Sequence, residues 1–317
     1  MEIDDHLAVM ITRCALSVGG LLASVLPTAF ILARKKLRNQ PHHFLLILLF
    51  IGGFFLSLGA AMRVATQLIW KPNYQRRVCL AMNSVELYGN FVTEIAVLLI
   101  TVDRFWMVKK IQKLRERDRC LYVFAVLATL TVSLIPVGLV FLNVKDEEVV
   151  RCHFSWSPAF GTFMFYKTAV LNTAIIGLYL AITCMYKLKT NKVNTQVAVL
   201  GPQKSGKEKR FFLHIYGLLT AFVLTWSAPK LAMFVAFEFK VGSDLLDLFQ
   251  LISSLGNPVN PIINFVFYCI TNREFRSEFQ KTWKGDNTVI YVWNSKIAAV
   301  QNQIAGTSVT RCINASN

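Results

Sequence analysis

Residues 87–104 read LYGNFVTEIAVLLITVDR, an apolar run that ends in the charged pair Asp103 and Arg104. The run has the length and composition of a helix that crosses a membrane, which takes about 20 mostly apolar residues. A charged side chain in such a helix is costly and usually marks a functional position. The run therefore predicts a membrane-spanning helix with a functional arginine at one end.

The composition of the whole chain is that of an integral membrane protein. Of the 317 residues, 54% are hydrophobic and only 16% are charged, which is too apolar for an ordinary soluble domain. We predict an all-α fold, a seven-transmembrane helix bundle that forms one domain over residues 1–284. The spans are expected at about 8–33, 44–69, 79–108, 120–142, 159–186, 209–237 and 245–270.

The residues after the seventh span have a different pattern. Phe275, Phe279 and Trp283 are four residues apart, and charged residues occupy the positions between them. This spacing predicts an amphipathic eighth helix over 272–284 that lies on the membrane surface. The remaining segment, 285–317, is polar with scattered Ser and Thr, and we expect a disordered tail.

The net charge of +16 does not indicate nucleic acid as a partner, because the basic residues are concentrated in alternate loops. Lys and Arg cluster at 34–38, 109–119, 187–210 and beyond 272, whereas the intervening loops contain few of them. The positive-inside rule then places the amino terminus outside the cell and the carboxyl terminus in the cytoplasm. We expect a multi-pass protein of the plasma membrane.

Several positions, in order along the chain, resemble the motifs of rhodopsin-like (class A) G-protein-coupled receptors. Asp103-Arg104-Phe105 is similar to the Asp-Arg-Tyr motif of that family. Residues 264–268 read NFVFY and resemble Asn-Pro-x-x-Tyr, with Asn264 and Tyr268 at its two ends. Further matches are Glu208, Phe222 and Trp226, spaced like the lock acid, switch phenylalanine and toggle tryptophan of span six, and Tyr179, the inner tyrosine of span five.

The resemblance implies a signalling receptor with an extracellular ligand and a heterotrimeric G protein as partners. Arrestin, a receptor kinase and membrane lipid are further expected partners. The candidate subfamilies are invertebrate peptide-type receptors and orphan chemosensory receptors. In the family's switch, Arg104 is held by Asp103 and Glu208, and it moves toward Tyr179 and Tyr268 when span six swings outward. The positions expected to carry this switch and G-protein coupling are Asp103, Arg104, Phe105, Tyr179, Glu208, Phe222, Asn264 and Tyr268.

The chain departs from the family pattern at several positions. Gly52 replaces an aspartate that binds sodium, and Ser24 replaces an asparagine, so allosteric regulation by sodium is not expected. Pro229 lies one residue later than in the family's Trp-x-Pro motif. A literal Asn-Pro pair occurs at Asn260 and Pro261, but we prefer the register that ends in Tyr268.

Cysteine and histidine positions predict a disulfide but no metal site. Of seven cysteines, Cys79 and Cys152 are the two that clearly fall in predicted extracellular loops, and their pairing is the natural one. The five histidines are scattered between the two faces and form no ligand cluster. The predicted span seven contains no lysine that could form a retinal Schiff base, and no cofactor is expected.

Span three contains one polar stripe, formed by Asn83, Glu86, Asn90 and Glu94 at helical spacing. Such a stripe must face the interior of the bundle. Cationic residues on other spans, namely Lys167, Lys230 and Arg63, also point toward the outer cavity by their register. The predicted ligand-binding residues are Arg63, Glu86, Asn90, Lys167, Trp226 and Lys230.

The charges in this cavity have two interpretations. In the first, Glu86 binds a cation of the ligand while a lysine or Arg63 binds its carboxylate, which suits a zwitterion or a short peptide. In the second, the charges pair with one another, Glu86 with Lys230 and Glu94 with Lys167, and hold the helices in register.

Two other classes of function compete with a receptor. A seven-span transporter or channel would use the intramembrane charges as a permeation path, although no inverted repeat is visible. An enzyme is not expected, because the sequence contains no nucleophile motif or metal cluster.

Overall fold

The computed structural model describes residues 7–69, 74–109, 119–142, 144, 147–149, 158–197, 217, 220, 222–239 and 243–283. It separates into two units, Met1–Phe267 and Tyr268–Asn317. The seven spans are named here by their observed helices. Span one is Leu7–Ala33, span two His42–Ile69, span three Arg76–Lys109, span four 119–139, span five Pro158–Val197, span six 223–238 and span seven Ser243–Thr271. A short helix, Lys35–Arg38, joins spans one and two.

Spans one to five each contain a stretch that is long and apolar enough to cross a membrane. The described part of span six, Val223–Ala236, is apolar but shorter. Span seven is uncharged over 248–271 but carries Asn257, Asn260 and Asn264, which lower its hydropathy. All three asparagines are buried, so these polar groups face the interior of the protein.

Glycines allow spans two and three to lie unusually close together. A Cβ atom added to Gly59 would lie 2.5 Å from the Cβ atom of Glu86 and 2.6 Å from its backbone nitrogen. A Cβ added to Gly52 would lie 2.9 Å from the backbone nitrogen of Thr93, and one added to Gly89 would lie 2.5 Å from that of Leu56. Small residues at these positions let the two backbones approach, as in other membrane helix pairs.

Two helices are interrupted near a proline, which has no N–H to donate to the preceding turn. Span four consists of Arg119–Val132 and Leu134–Leu139, with the break at Ser133 three residues before Pro136. Span six contains a π-helical turn, Val223–Ser227, which directly precedes the helix Ala228–Glu238. A π turn accommodates one additional residue, which explains why Pro229 lies one residue later than the family spacing.

Span seven approaches span six closely at this π turn. A Cβ atom added to Gly256 would lie 2.5 Å from the carbonyl oxygen of Thr225. Pro229 has no N–H to donate to that carbonyl group. The absence of a side chain at Gly256 therefore lets the backbone of span seven lie against the irregular part of span six.

Two short strands, Tyr74–Gln75 and Glu148–Val149, pair in antiparallel orientation before span three and after span four. The all-α prediction did not include this pairing. Cys79, which follows the first strand, is disulfide-bonded. Its predicted partner, Cys152, lies outside the described residues, so the pairing stays a prediction.

The second unit contains a helix over Arg273–Trp283. Its first turn is capped by Asn272, whose Oδ1 accepts a hydrogen bond from the backbone N–H of Phe275 at 2.9 Å. Phe275 is buried while Arg273 and Glu274 are exposed, so the helix is amphipathic. The ring of Phe275 packs against Tyr268 at a centroid distance of 4.7 Å. The membrane-surface location of this helix stays a prediction, and residues 285–317 lie outside the described residues.

Replacing Gly59 by alanine should push spans two and three apart, because the new methyl group meets the backbone of Glu86. We expect the free energy of unfolding to fall by about 1–3 kcal/mol. Gly177 is the matched control, since a Cβ there has no neighbour within 4 Å. Gly177→Ala should leave stability unchanged or raise it by about 0.5–1 kcal/mol. Thermal unfolding in detergent measures both, and equal melting temperatures for the two variants would contradict the close packing.

Candidate functional site

The polar stripe of span three faces the interior, as predicted. Asn83, Glu86 and Glu94 are buried, and Asn90 is partly buried. The two carboxylates lie eight residues apart, slightly more than two helical turns. Each has different partners, so the stripe forms two distinct clusters.

The first, which we call the Glu86 cluster, comprises Arg63, Glu86 and Asn257. The Arg63 guanidinium donates to Oε2 of Glu86 at 2.5 Å, and the amide of Asn257 donates to Oε1 at 2.5 Å. All three side chains are buried. The cluster therefore joins spans two, three and seven, and both oxygens of its carboxylate are engaged.

The second, the Glu94 cluster, comprises Asn90, Glu94, Lys167 and Lys230. The ammonium group of Lys167 donates to Oε2 of Glu94, and that of Lys230 lies 3.5 Å from Oε1. Lys230 also donates to the Oδ1 atom of Asn90 at 2.7 Å. The cluster joins spans three, five and six around one carboxylate.

The predicted internal pairs are half right. The pair of Glu94 with Lys167 is confirmed, whereas the pair of Glu86 with Lys230 is wrong, because Glu86 binds Arg63. The cause is the close approach at Gly59, since Arg63 lies one turn further along the same face of span two. Asn90, a member of the Glu94 cluster, links it to span three at Glu86: its amide donates to the backbone oxygen of Glu86 at 3.0 Å while its Oδ1 accepts from Lys230.

Both lysines of the Glu94 cluster also lie over aromatic rings. Nζ of Lys167 is 3.9 Å from the ring centroid of Phe91, and Nζ of Lys230 is 3.6 Å from that of Trp226. Trp226 stacks on Phe222, with centroids 6.1 Å apart and an interplanar angle of 21°. Lys230 thus connects the Glu94 cluster to both aromatic positions that the resemblance identified on span six.

At the other end of span three, Arg104 and Asp103 are both buried and form an ion pair of 3.8 Å. The hydroxyl of Tyr122 on span four donates to Oδ1 of Asp103 at 2.5 Å. Phe105 is partly buried. The predicted second acid for Arg104, Glu208, lies outside the described residues, so the lock between spans three and six stays a prediction.

The other predicted switch residues have neighbours on spans six and seven. The hydroxyl of Tyr179 on span five lies 3.5 Å from that of Thr220, which belongs to the predicted sixth span. The Asn264 amide donates to the Asn260 side chain at 3.3 Å within span seven. The part of these residues, and of Tyr268, in a switch around Arg104 stays a prediction.

Sequence reasoning missed two residues of these sites, Asn257 and Tyr122. Asn257 carries a signal, because an amide inside an uncharged span needs an internal partner. Tyr122 carries none, since a tyrosine at the end of a span is common at membrane interfaces. Within the described ranges, no group of three His, Cys, Asp or Glu side chains could hold a metal ion.

Removing the Glu86 carboxylate should destabilise the protein strongly, because the buried guanidinium of Arg63 loses its counter-charge. We expect Glu86→Ala to lower the free energy of unfolding by about 3–5 kcal/mol, and the double variant Glu86→Leu, Arg63→Met to recover most of that loss. Glu238→Ala is the control, since that carboxylate is exposed and bonded to Tyr166 alone among the described residues. Thermal unfolding checks this expectation. An unchanged melting temperature for Glu86→Ala would show that the pair does not stabilise the bundle.

One comparison identifies the family. The family model described as serpentine type 7TM GPCR chemoreceptor Srsx matches residues 18–283. The match includes both clusters and the Asp103-Arg104 pair, and extends through the amphipathic helix. No curated protein matches the chain. The predicted seven-transmembrane fold and the resemblance to chemosensory G-protein-coupled receptors are thereby confirmed. The chain belongs to the Srsx family of serpentine 7TM chemoreceptors and is a multi-pass membrane receptor.

Proposed function

We propose that this chain is a plasma-membrane chemoreceptor that binds an extracellular ligand between its spans and activates a heterotrimeric G protein. In this proposal the amino terminus is extracellular and the carboxyl terminus is cytoplasmic. The ligand is a small molecule or short peptide that contacts the Glu94 cluster. Arrestin and a receptor kinase are further proposed partners.

The observation that carries the proposal is the contact between Lys230 and Trp226. Lys230 belongs to the Glu94 cluster, and its ammonium group lies over the indole ring within the π turn of span six. A ligand that changes the environment of Lys230 therefore acts directly on the irregular segment of that helix. Because π turns lack the regular hydrogen-bond pattern, this segment is a suitable place for a helix to bend.

Span three connects the proposed ligand site to the proposed G-protein site. Glu86, Glu94 and Arg104 all lie on the single helix Arg76–Lys109. In the proposed mechanism, the ligand binds more tightly when the inner end of span six has moved away from span three. A ligand that bound both states equally would shift no population. The movement would release Arg104 and open a site for the G protein.

A transporter or channel is less well supported. Between Glu94 and Asp103, the buried residues of span three are Ala96, Val97, Ile100 and Thr101, and the hydroxyl of Thr101 is used within the helix, donating to the backbone oxygen of Val97 at 2.7 Å. A permeation path through the bundle needs polar groups or water along its length. Within the described residues, span three therefore has no buried charged side chain between Glu94 and Asp103.

The proposal predicts that Arg104→Ala abolishes G-protein activation while surface expression is maintained. The measurement is dissociation of G-protein subunits in cells that express the full chain, both without ligand and with panels of peptides and small molecules. Arg38→Ala is the control, since Arg38 is an exposed arginine at the predicted cytoplasmic side. Its output should match the unmodified chain. An absence of G-protein coupling, together with solute flux or charge movement that depends on Glu86, would indicate a transporter instead.

A further inference from the structure

The Glu94 cluster contains two lysines and one carboxylate. The nearest other carboxylate on span three, Glu86, already accepts hydrogen bonds from Arg63 and Asn257 on its two oxygens. Within the part of the chain that the structure describes, the Glu94 cluster therefore has one more positive than negative group.

An ammonium group without its own counter-charge is costly in a membrane protein and often marks a binding site. Here the cost is reduced by neutral partners: the faces of Phe91 and Trp226 and the amide oxygen of Asn90. Cation–π contacts and a hydrogen bond stabilise the ammonium groups but do not cancel the charge. The cluster thus keeps a positive potential that an anion would neutralise.

The lysines are also the more accessible of the charged members of the cluster. Their side chains are 12% and 11% exposed, for Lys167 and Lys230 respectively, whereas that of Glu94 is 1% exposed. The lysine side chains are therefore easier to reach than the carboxylate. This arrangement favours an anionic group over a cationic one.

We propose that Lys167 and Lys230 together bind one carboxylate group of the ligand. This inference rests on the proposed receptor function and specifies its ligand class. A single carboxylate matches the single surplus positive charge. The engaged state of Glu86 argues against the earlier alternative, in which that residue binds a cation of a zwitterion.

Carboxylate binding would act on span six through Lys230. The ligand and Glu94 would compete for the same ammonium group, which is one turn away from the π turn and lies over Trp226. Transfer of Lys230 from Glu94 to the ligand would weaken a link between spans three and six. The binding energy of the carboxylate is thereby coupled to the position of span six.

The site can be tested without knowledge of the natural ligand. The full chain, purified in detergent, is heated with increasing concentrations of benzoate or of its neutral analogue benzamide. A ligand that binds the folded state raises the melting temperature in a saturable manner. We expect a saturable rise with benzoate and none with benzamide.

The same measurement separates two sources of the carboxylate. An N-acetylated dipeptide with a free carboxyl terminus is compared with its amidated form. A rise with benzoate alone would support a small organic acid as the ligand class. A rise with both free acids would support a site that also accepts the carboxyl terminus of a peptide.

Variants make the test specific to the cluster. Lys230→Gln and Lys167→Gln should each weaken benzoate binding by about tenfold, and Lys167→Arg should largely preserve it. Glu94→Gln removes the competing carboxylate and should strengthen binding by about tenfold. Tyr166→Phe is the matched control, because it removes an exposed contact of 2.9 Å with Glu238 between the same spans five and six. It should leave the affinity unchanged.

Three outcomes would each overturn the proposed site. The first is an equal effect of benzoate and benzamide, and the second is no rise with any acid. The third is an unchanged affinity in Glu94→Gln, Lys167→Gln and Lys230→Gln. The thermal measurement does not involve a G protein. If acids bind but no G-protein activation depends on Arg104, the proposed function is wrong and the carboxylate site stands. If ligands without a carboxylate activate the G protein and no acid binds, the carboxylate site is wrong and the receptor function stands.

Discussion

Burying a carboxylate within a membrane protein is costly unless cations and hydrogen-bond donors surround it, and this constraint organises the bundle around span three. Glu86 and Glu94 each recruit partners from other helices. The first draws in Arg63 and Asn257, and the second draws in two lysines. Spans two, five, six and seven are thereby each tied to span three by at least one charged or amide group.

The two clusters differ in balance, and that difference separates their roles. The Glu86 cluster is closed, because its charges match and both carboxylate oxygens are engaged. The Glu94 cluster is open, because its lysines exceed its carboxylate and keep some exposure. Asn90 of the Glu94 cluster also bonds to the backbone oxygen of Glu86 and so links the two. The structural ion pair and the proposed binding site therefore lie within three turns of each other along span three.

Much of the fold was predictable from the sequence, whereas the choice of partners was not. Hydropathy and charge distribution give the spans, and helical spacing places Glu86 and Glu94 on one interior face. Whether Glu86 meets Arg63 or Lys230 depends on the distance between helices, which Gly59 sets through the absence of a side chain. The break at Ser133 and the π turn are local departures from regular helix that hydropathy does not reveal.

The close contact between Gly256 and Thr225 has a consequence for how span six can move. At this point the backbones of spans six and seven touch without an intervening side chain, whereas Lys230 reaches span three through a long flexible chain. This contact leaves no space for span six to slide sideways at Thr225. A displacement at Lys230 would therefore rotate the helix Ala228–Glu238 about the π turn as a hinge.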